Sequence, residues 1–490
     1  MKIGQFCHFV SGGGVSALPT NLNNWINKNT NYQSTFLFND FYNNNYQNKN
    51  FDFIQTSKIE NQSIYEIYFK YKNIDTANFC FFYLGLDSEK IKIIHNFDII
   101  HIHWINYFMN LDNLKYICTH KPVVITVHDQ HLLFGGCHWK NDCNNFLQEC
   151  NKCPQIKEEI NKIVHKNFLR KKNIFDNSNV TFVHQNEISL QIGKDLYKKN
   201  IHKLIDCTVD TNQFYSIHDI LPLKKKYNIP INKKVILSTC GYNSFTKGIW
   251  QFDELENRIN NDSFIILIGS GYENIPSKKN RILNLGHINK KNIINDIYNL
   301  SDVTFTLSRE EGVPGIACES LSCGTPFIGF HNVGNLNRMI KDNFNGYLVK
   351  NFSINEFAKK INNIKSHSKD AIRKDYLERF DKNFYSDYIN LYKQVKQNKN
   401  ISIFNDNKIN FPKVFETLFA KNLEFHNIYK KKPLHFLIYY LKNFRDVNLF
   451  FIKSFYNYSR RNKYFIYLWR LTFSSKIKVV IKNYIKKIIK

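Results

Sequence analysis

The sequence predicts an α/β protein built from two domains with parallel sheets, and three observations support this. Short runs of apolar and β-branched residues alternate with helical segments through both halves of the chain. Several of these runs are followed by polar or glycine-rich turns. In open α/β sheets, ligands bind beside such turns, at the carboxyl ends of the strands. The length of 490 residues is enough for two or three domains, each with its own core.

The composition is that of a folded, basic protein. Hydrophobic residues make up 43% of the chain, aromatic residues 15%, and the formal net charge is +27. The first ten residues lack the apolar core of a signal peptide, and no run reaches the roughly 18 apolar residues of a membrane span. Eleven cysteines, mostly isolated, suit a reducing compartment. We therefore expect a cytoplasmic protein.

The first predicted strand, residues 2–9, leads into a glycine-rich turn at residues 11–15 and then a helix. Backbone N–H groups at Gly13 and Gly14 offer a surface that a diphosphate can approach. A tight turn that needs glycine only for its backbone conformation is the alternative interpretation.

Two further strands of the first half are followed by histidines. Residues 97–104 include His103, and residues 121–131 include His128. The carboxyl ends of parallel strands meet at one edge of the sheet, so both imidazoles are expected in one crevice. There they could hydrogen-bond a sugar hydroxyl or a phosphate, although a structural role is common for a histidine in this position.

The loop at residues 135–155 is rich in cysteine. It holds four thiols within seventeen residues and closes in C-x-x-C, a pattern compatible with a structural zinc site. Unligated thiols or labile disulfides remain alternatives. The four candidate ligands are Cys137, Cys143, Cys150 and Cys153.

In the second half, a strand at 235–239 precedes a loop that ends in Lys247, whose ammonium could neutralise a diphosphate. The clearest unit is VTFTLSREEGVPGIACESLSCGTPFIGFH at 303–331, which reads as strand, loop, helix and strand. It places Glu311 in the loop and Glu319 on the helix. Gly312 and Gly315 let backbone N–H groups approach a ligand.

The pattern EGVPGIACESLSCGTP resembles the signature loop of retaining, nucleotide-sugar-dependent glycosyltransferases of family 4, which have the GT-B fold of two Rossmann-like domains. The resemblance implies that Glu311 lies beside the transferred sugar and that Glu319 binds the nucleotide ribose. It also implies that His128 contacts the donor sugar and that Lys247 contacts the diphosphate.

Other matching positions complete the implied donor site. The glycine-rich turn at Gly13 and Gly14 would lie near the donor phosphates, and the backbone around His287 would contact the nucleobase. The family's phosphate-binding arginine is missing before Lys247, and Arg309 is a candidate replacement.

The resemblance covers residues 1–396 and implies the domain boundaries. An acceptor-side domain spans 1–200, a nucleotide-sugar domain spans 201–372, and a helix at 373–397 crosses back to the first domain. No cofactor is implied for the chemistry itself.

The remaining stretch, 398–490, is a basic aromatic extension with predicted helices. Between 401 and 490 it carries 19 Lys and Arg against 4 Asp and Glu. Such a segment suits an anionic membrane surface, here the inner face of the plasma membrane. A helical appendage packed on the catalytic domains is the alternative. No nucleic-acid-binding module is recognisable, so nucleic acid is not an expected partner.

These observations predict an enzyme of the class EC 2.4, which moves a sugar from a UDP- or GDP-sugar to a glycan or lipid-linked acceptor in surface polysaccharide biosynthesis. The alternative is an inactive relative that serves as a subunit or scaffold at the membrane.

Overall fold

A computed structural model describes residues 1–10, 14–39, 49–54, 79–82, 84–241, 245–365 and 368–397. Gly13 and the whole basic extension, 398–490, lie outside this part of the chain. The described residues form two parallel sheets of seven and six strands. The predicted α/β class and the two Rossmann-like domains are therefore confirmed.

The first domain is built on the seven-stranded sheet. Its strands are β1 (Lys2–Phe6), β2 (Gln33–Phe38), β3 (Phe51–Phe53), β4 (Ile99–Ile102), β5 (Val123–Val127), β6 (Val180–His184) and β7 (Ile201–Leu204). They lie in the order β3-β2-β1-β4-β5-β6-β7, and all neighbours are parallel. The strand order reverses direction between β1 and β4, which makes this the ligand-binding switch point of the sheet. The sheet ends at Leu204, beyond the boundary expected at residue 200.

Helices connect these strands: α1 (Gly14–Asn29), α2 (Leu111–His120), α3 (Asn161–Asp176) and α4 (Glu187–Leu196). Helix α1 has apolar residues at a spacing of four, Leu18, Leu22 and Ile26, and all three are buried in one cluster with strand residues of the sheet. The side chain of Asn186 caps α4 by accepting from the Ser189 backbone N–H.

The second domain repeats the plan with six strands. These are β8 (Lys234–Thr239), β9 (Ser263–Ile268), β10 (Ile282–Asn284), β11 (Val303–Phe305), β12 (Phe327–Phe330) and β13 (Gly346–Val349). Their order is β10-β9-β8-β11-β12-β13, again with parallel neighbours. Strand β9 is buried along its whole length, as expected for a strand covered on both faces. The switch point lies between β8 and β11.

The helices of this domain are α5 (Leu221–Lys226), α6 (Phe252–Glu256), α7 (Lys291–Leu300), α8 (Gly315–Ser322), α9 (Leu336–Met339) and α10 (Ile354–Asn362). Helix α8 is the helix predicted behind the Glu311 loop.

The chain then returns to the first domain through α11 (Lys369–Tyr376) and α12 (Phe384–Gln397). The single helix expected over 373–397 is interrupted by a π-helical turn at Leu377–Asp381. This turn redirects the chain, because Tyr376 is buried in the core of the second domain whereas Tyr392 is buried in that of the first. The hydroxyl of Tyr392 lies 2.7 Å from Nδ1 of His101 on β4.

None of the helices within the described ranges has both the length and the apolar character needed to cross a bilayer.

Candidate active site

Lys247 and Glu311 follow the two strands that flank the switch point of the second sheet. Lys247 ends a short 3-10 turn after β8, and Glu311 lies in the loop after β11. The Lys247 Nζ is 2.5 Å from Oε1 of Glu311, and their side chains are only 18% and 13% exposed. An ammonium and a carboxylate therefore lie in contact at the switch point, the position at which open α/β sheets bind ligands.

The next residue holds the Glu311 loop against the first domain. The Gly312 carbonyl accepts a hydrogen bond from Asn186 Nδ2 at 3.1 Å. A Cβ at Gly312 would lie 2.2 Å from the carbonyl oxygen of His128. Only glycine permits this approach, so the end of β5 and the Glu311 loop meet across the gap between the domains.

His128 is the outer member of a hydrogen-bonded histidine chain. Its Nε2 lies 3.0 Å from Nδ1 of His103, whose Nε2 lies 3.1 Å from Oε1 of Gln5. Because the Gln5 amide donates from Nε2 to Ser34 Oγ, its oxygen accepts from His103. His103 then accepts at Nδ1, so His128 donates from Nε2 and keeps a lone pair on Nδ1. Burial lowers the pKa of His128 to about 4, so this imidazole is neutral at pH 7.

Glu319 lies on α8 and contacts two side chains of α7. Its carboxylate accepts a hydrogen bond from the Tyr298 hydroxyl at 2.8 Å, and Lys291 Nζ is 3.8 Å away. Burial raises the pKa of Glu319, against the opposing effects of Lys291 and the Tyr298 hydroxyl. No sequence pattern indicated Tyr298 or Lys291, because both reach Glu319 only through helix packing.

The remaining donor-site candidates have simpler surroundings. Gly14 and Gly315 each begin a helix, α1 and α8, and a Cβ at either position would meet no atom within 4 Å. His287 is exposed and bonds Asn289. Gly13 lies outside the described residues.

Arg309, the candidate replacement for the missing arginine, packs between aromatic rings. Its guanidinium carbon lies 4.3 Å from the ring centre of Phe352 and 5.4 Å from that of Trp250. Burial lowers its pKa, and nearby Asp142 opposes this. The Arg309 backbone N–H donates to the Thr246 carbonyl at 2.7 Å, next to Lys247. The assignment of the Arg309 side chain to the diphosphate stays a prediction.

Glu310 links the second domain to the cysteine-rich loop. Its carboxyl accepts a hydrogen bond from the Asn141 backbone, and burial raises its pKa to about 7 despite the nearby Lys140. The loop of the first domain that carries the four cysteines therefore contacts the Glu311 loop directly.

Comparison with known proteins agrees with this geometry. Residues 246–386 match the model of the family described as glycosyl transferases group 1. The Escherichia coli (strain K12) protein described as "Putative colanic acid biosynthesis glycosyl transferase WcaC" is 21% identical over 268 residues, which are 52% of this chain. The match spans 64% of that relative's length.

Two solved structures show the same fold over most of both chains. Sucrose-phosphate synthase from Thermosynechococcus elongatus has a TM-score of 0.59 at 15% identity, over 80% of this chain and 98% of its own. HepE from Anabaena, solved in complex with UDP-glucose, has a TM-score of 0.58 at 14% identity, over 80% and 99%. The protein thus has the GT-B fold, and residues 246–386, which include most of its second domain, are similar to the glycosyl transferases group 1 domain.

Proposed function

We propose that this protein is a retaining glycosyltransferase that moves a sugar from a UDP- or GDP-sugar to a glycan or lipid-linked acceptor in surface polysaccharide biosynthesis. The observation that carries the proposal is the Lys247–Glu311 pair at the switch point, directly opposite the His128 end of β5. The names of two similar proteins support the substrate class: WcaC is described for colanic acid biosynthesis, and HepE was solved with UDP-glucose.

In this proposal the donor's diphosphate lies beside Lys247. The ammonium stabilises the charge that develops on the departing nucleotide, in a site where both side chains are largely shielded from water. Before the donor binds, the same ammonium is held by Glu311. When the donor binds, the Lys247 ammonium therefore exchanges at least part of its contact with the Glu311 carboxylate for a contact with a phosphate.

Glu311 and His128 would position the sugar between the domains. The carboxylate of Glu311 can accept hydrogen bonds from sugar hydroxyls, and so can the Nδ1 lone pair of neutral His128. In this proposal Glu319 accepts a hydrogen bond from the ribose, and the Tyr298 hydroxyl, which donates to its carboxylate at 2.8 Å, fixes its orientation. We assign no covalent nucleophile.

A donor screen tests the proposal. The full chain is incubated with individual UDP- and GDP-sugars and with oligosaccharide or lipid-linked acceptors, and release of free UDP or GDP is measured. Proton NMR of the product gives its anomeric configuration. An inverted product contradicts the retaining assignment. Calorimetry that detects binding of neither UDP nor GDP would support an inactive scaffold instead.

We further propose that residues 401–490, which lie outside the described residues, attach the enzyme to anionic membranes. The proposal rests on their 19 basic and 4 acidic residues interleaved with aromatic ones. Sedimentation with vesicles of phosphatidylglycerol, compared with phosphatidylcholine alone, tests it. Equal binding to both vesicles, or equal binding by a chain that ends at residue 400, would contradict it.

A further inference from the structure

The four cysteines of the loop at 135–155 surround a single small cavity. Its volume is about 10 Å³, close to that of one water-sized sphere. Three of the thiols are buried and Cys143 is half-buried, and no disulfide joins any of the cysteines within the described residues. The four cysteines that line the cavity are Cys137, Cys143, Cys150 and Cys153.

Backbone N–H groups point at three of these sulfurs. The Asn145 N–H donates to Cys143 Sγ at 3.4 Å, and the Gly135 N–H donates to the sulfur of Cys150. Cys153 accepts from two backbone N–H groups, those of Gln155 and Ile156. A neutral thiol is a weak acceptor, whereas a metal-bound thiolate is a strong one that such donors orient and stabilise.

The backbone that delivers Cys150 is held in an unfavourable conformation. Glu149 and Cys150 have consecutive φ angles of +59° and +56°, in the left-handed region that side chains other than glycine rarely adopt. The turn is closed by a hydrogen bond of 2.9 Å from the Cys150 N–H to the Asn145 carbonyl. Strain of this kind persists where surrounding structure fixes a site, and ligand clamps are a common example.

The charged side chains around the cavity are lysines, which would stabilise a group of net negative charge. Lys171 is completely buried, and its ammonium interacts electrostatically with Cys137 and Cys150. Lys140 and Lys152 line the cavity itself. Four thiolates around one Zn²⁺ carry a net charge of about −2, which these lysines would offset.

We propose that Cys137, Cys143, Cys150 and Cys153 bind one zinc ion as four thiolates. Tetrahedral ligation at about 2.3 Å places sulfurs about 3.8 Å apart. No three of these sulfurs lie within 4.8 Å of one another in the described structure, so zinc would draw them inward.

Zinc would fix the wall of the cleft on the first-domain side. The ligands Cys137 and Cys143 bracket the segment whose Asn141 backbone bonds Glu310, next to the Glu311 loop. The metal has a structural role in this proposal and takes no part in the transfer itself.

A neighbouring group of metal-type side chains is held together by its own hydrogen bonds. Asp129, His131 and His138 are the group of potential ligand atoms within 4.8 Å of one another in the described residues. Both histidines bond the Asp129 carboxylate through Nδ1, at 2.5 and 2.8 Å, and Trp104 Nε1 donates to the same carboxylate. The two Nδ1 atoms and the carboxylate are therefore engaged with each other, whereas the buried Nε2 of His131 has no hydrogen-bond partner in the described residues.

Metal analysis of the full chain tests the proposal. The protein is purified under reducing conditions without chelators from zinc-containing medium, and its metal content is measured by mass spectrometry. We expect about one zinc per chain and an X-ray absorption spectrum with four sulfur scatterers at about 2.3 Å. Cys143→Ser should lower the zinc content several-fold. Cys118→Ser, a change at a buried cysteine of the same domain outside the cavity, should keep it.

Three results would overturn the proposal, and two of them need no variant. One is a zinc content near zero in the reduced wild-type chain after incubation with zinc. Another is an X-ray absorption spectrum in which nitrogen and oxygen atoms surround the zinc, which would indicate binding by Asp129, His131 and His138. The third is full zinc content in a folded Cys143→Ser variant.

Discussion

Replacing Glu311 by glutamine tests the proposed site most directly, because it removes a charge and keeps the shape of the side chain. In the structure Oε1 is 2.5 Å from Lys247 Nζ, and both groups are mostly shielded. In the proposed site, where the donor's diphosphate lies beside Lys247, the carboxylate would compete with it for the ammonium. An ion pair at this partial exposure contributes about 1 kcal/mol. Removing it should leave UDP or GDP affinity unchanged or raise it by up to about fivefold.

Sugar transfer should respond in the opposite direction. Loss of a charged hydrogen-bonding group facing the sugar costs about 3 kcal/mol at the transition state, which corresponds to a fall of about 100-fold in kcat. Isothermal calorimetry measures nucleotide binding, and nucleotide release in the presence of acceptor measures turnover.

The control is Glu254→Gln, which neutralises an exposed carboxylate that pairs with Arg258 at 3.2 Å in the same domain. It should change neither quantity. Unchanged turnover in Glu311→Gln would refute the role of this residue. Nucleotide binding that weakens as strongly as turnover would place Glu311 on the nucleotide instead of the sugar.

Three further changes test the rest of the site. Lys247→Met should weaken UDP or GDP binding about 10- to 100-fold, because a charge-assisted hydrogen bond contributes about 1.5–3 kcal/mol; calorimetry that finds wild-type affinity would contradict this. Gly312→Ala should lower thermal stability and turnover together, since the new Cβ would lie 2.2 Å from the His128 carbonyl oxygen. The control is Gly315→Ala, whose Cβ would have no atom within 4 Å, and this variant should unfold at the wild-type temperature. Burial raises the pKa of Glu310 in the folded protein to about 7, above the ordinary value of 4.5. The folded protein therefore favours the protonated carboxyl, so the stability that Glu310 contributes is present below pH 4.5 and is lost as the pH rises through 7. Glu310→Gln should therefore raise the free energy of unfolding by about 1–2 kcal/mol at pH 8 and by less at pH 5.5; urea unfolding that shows the same gain at both pH values would exclude a raised pKa.

The strands and helices that were predicted correctly have strong local patterns. The apolar run within 121–131 that predicts β5 and the β-branched run that predicts β11 both mark buried parallel strands. Strand β7 was missed because its residues are alternately exposed and half-buried, so it carries no apolar run. The π turn at Leu377–Asp381 was missed because helical periodicity continues on both sides of it.

The sequence by itself determined the alternation of strands and helices, and with it the two parallel sheets and the strand ends at which ligands bind. It also placed Lys247, Glu311 and His128 at such ends, since each follows a recognisable strand. Only the tertiary structure decided which of these groups meet. Lys247 reaches Glu311 across 64 residues, and Glu311's neighbour Gly312 meets His128 across the domain gap. Such contacts depend on strand order and on the packing of whole domains, which no local pattern of residues encodes.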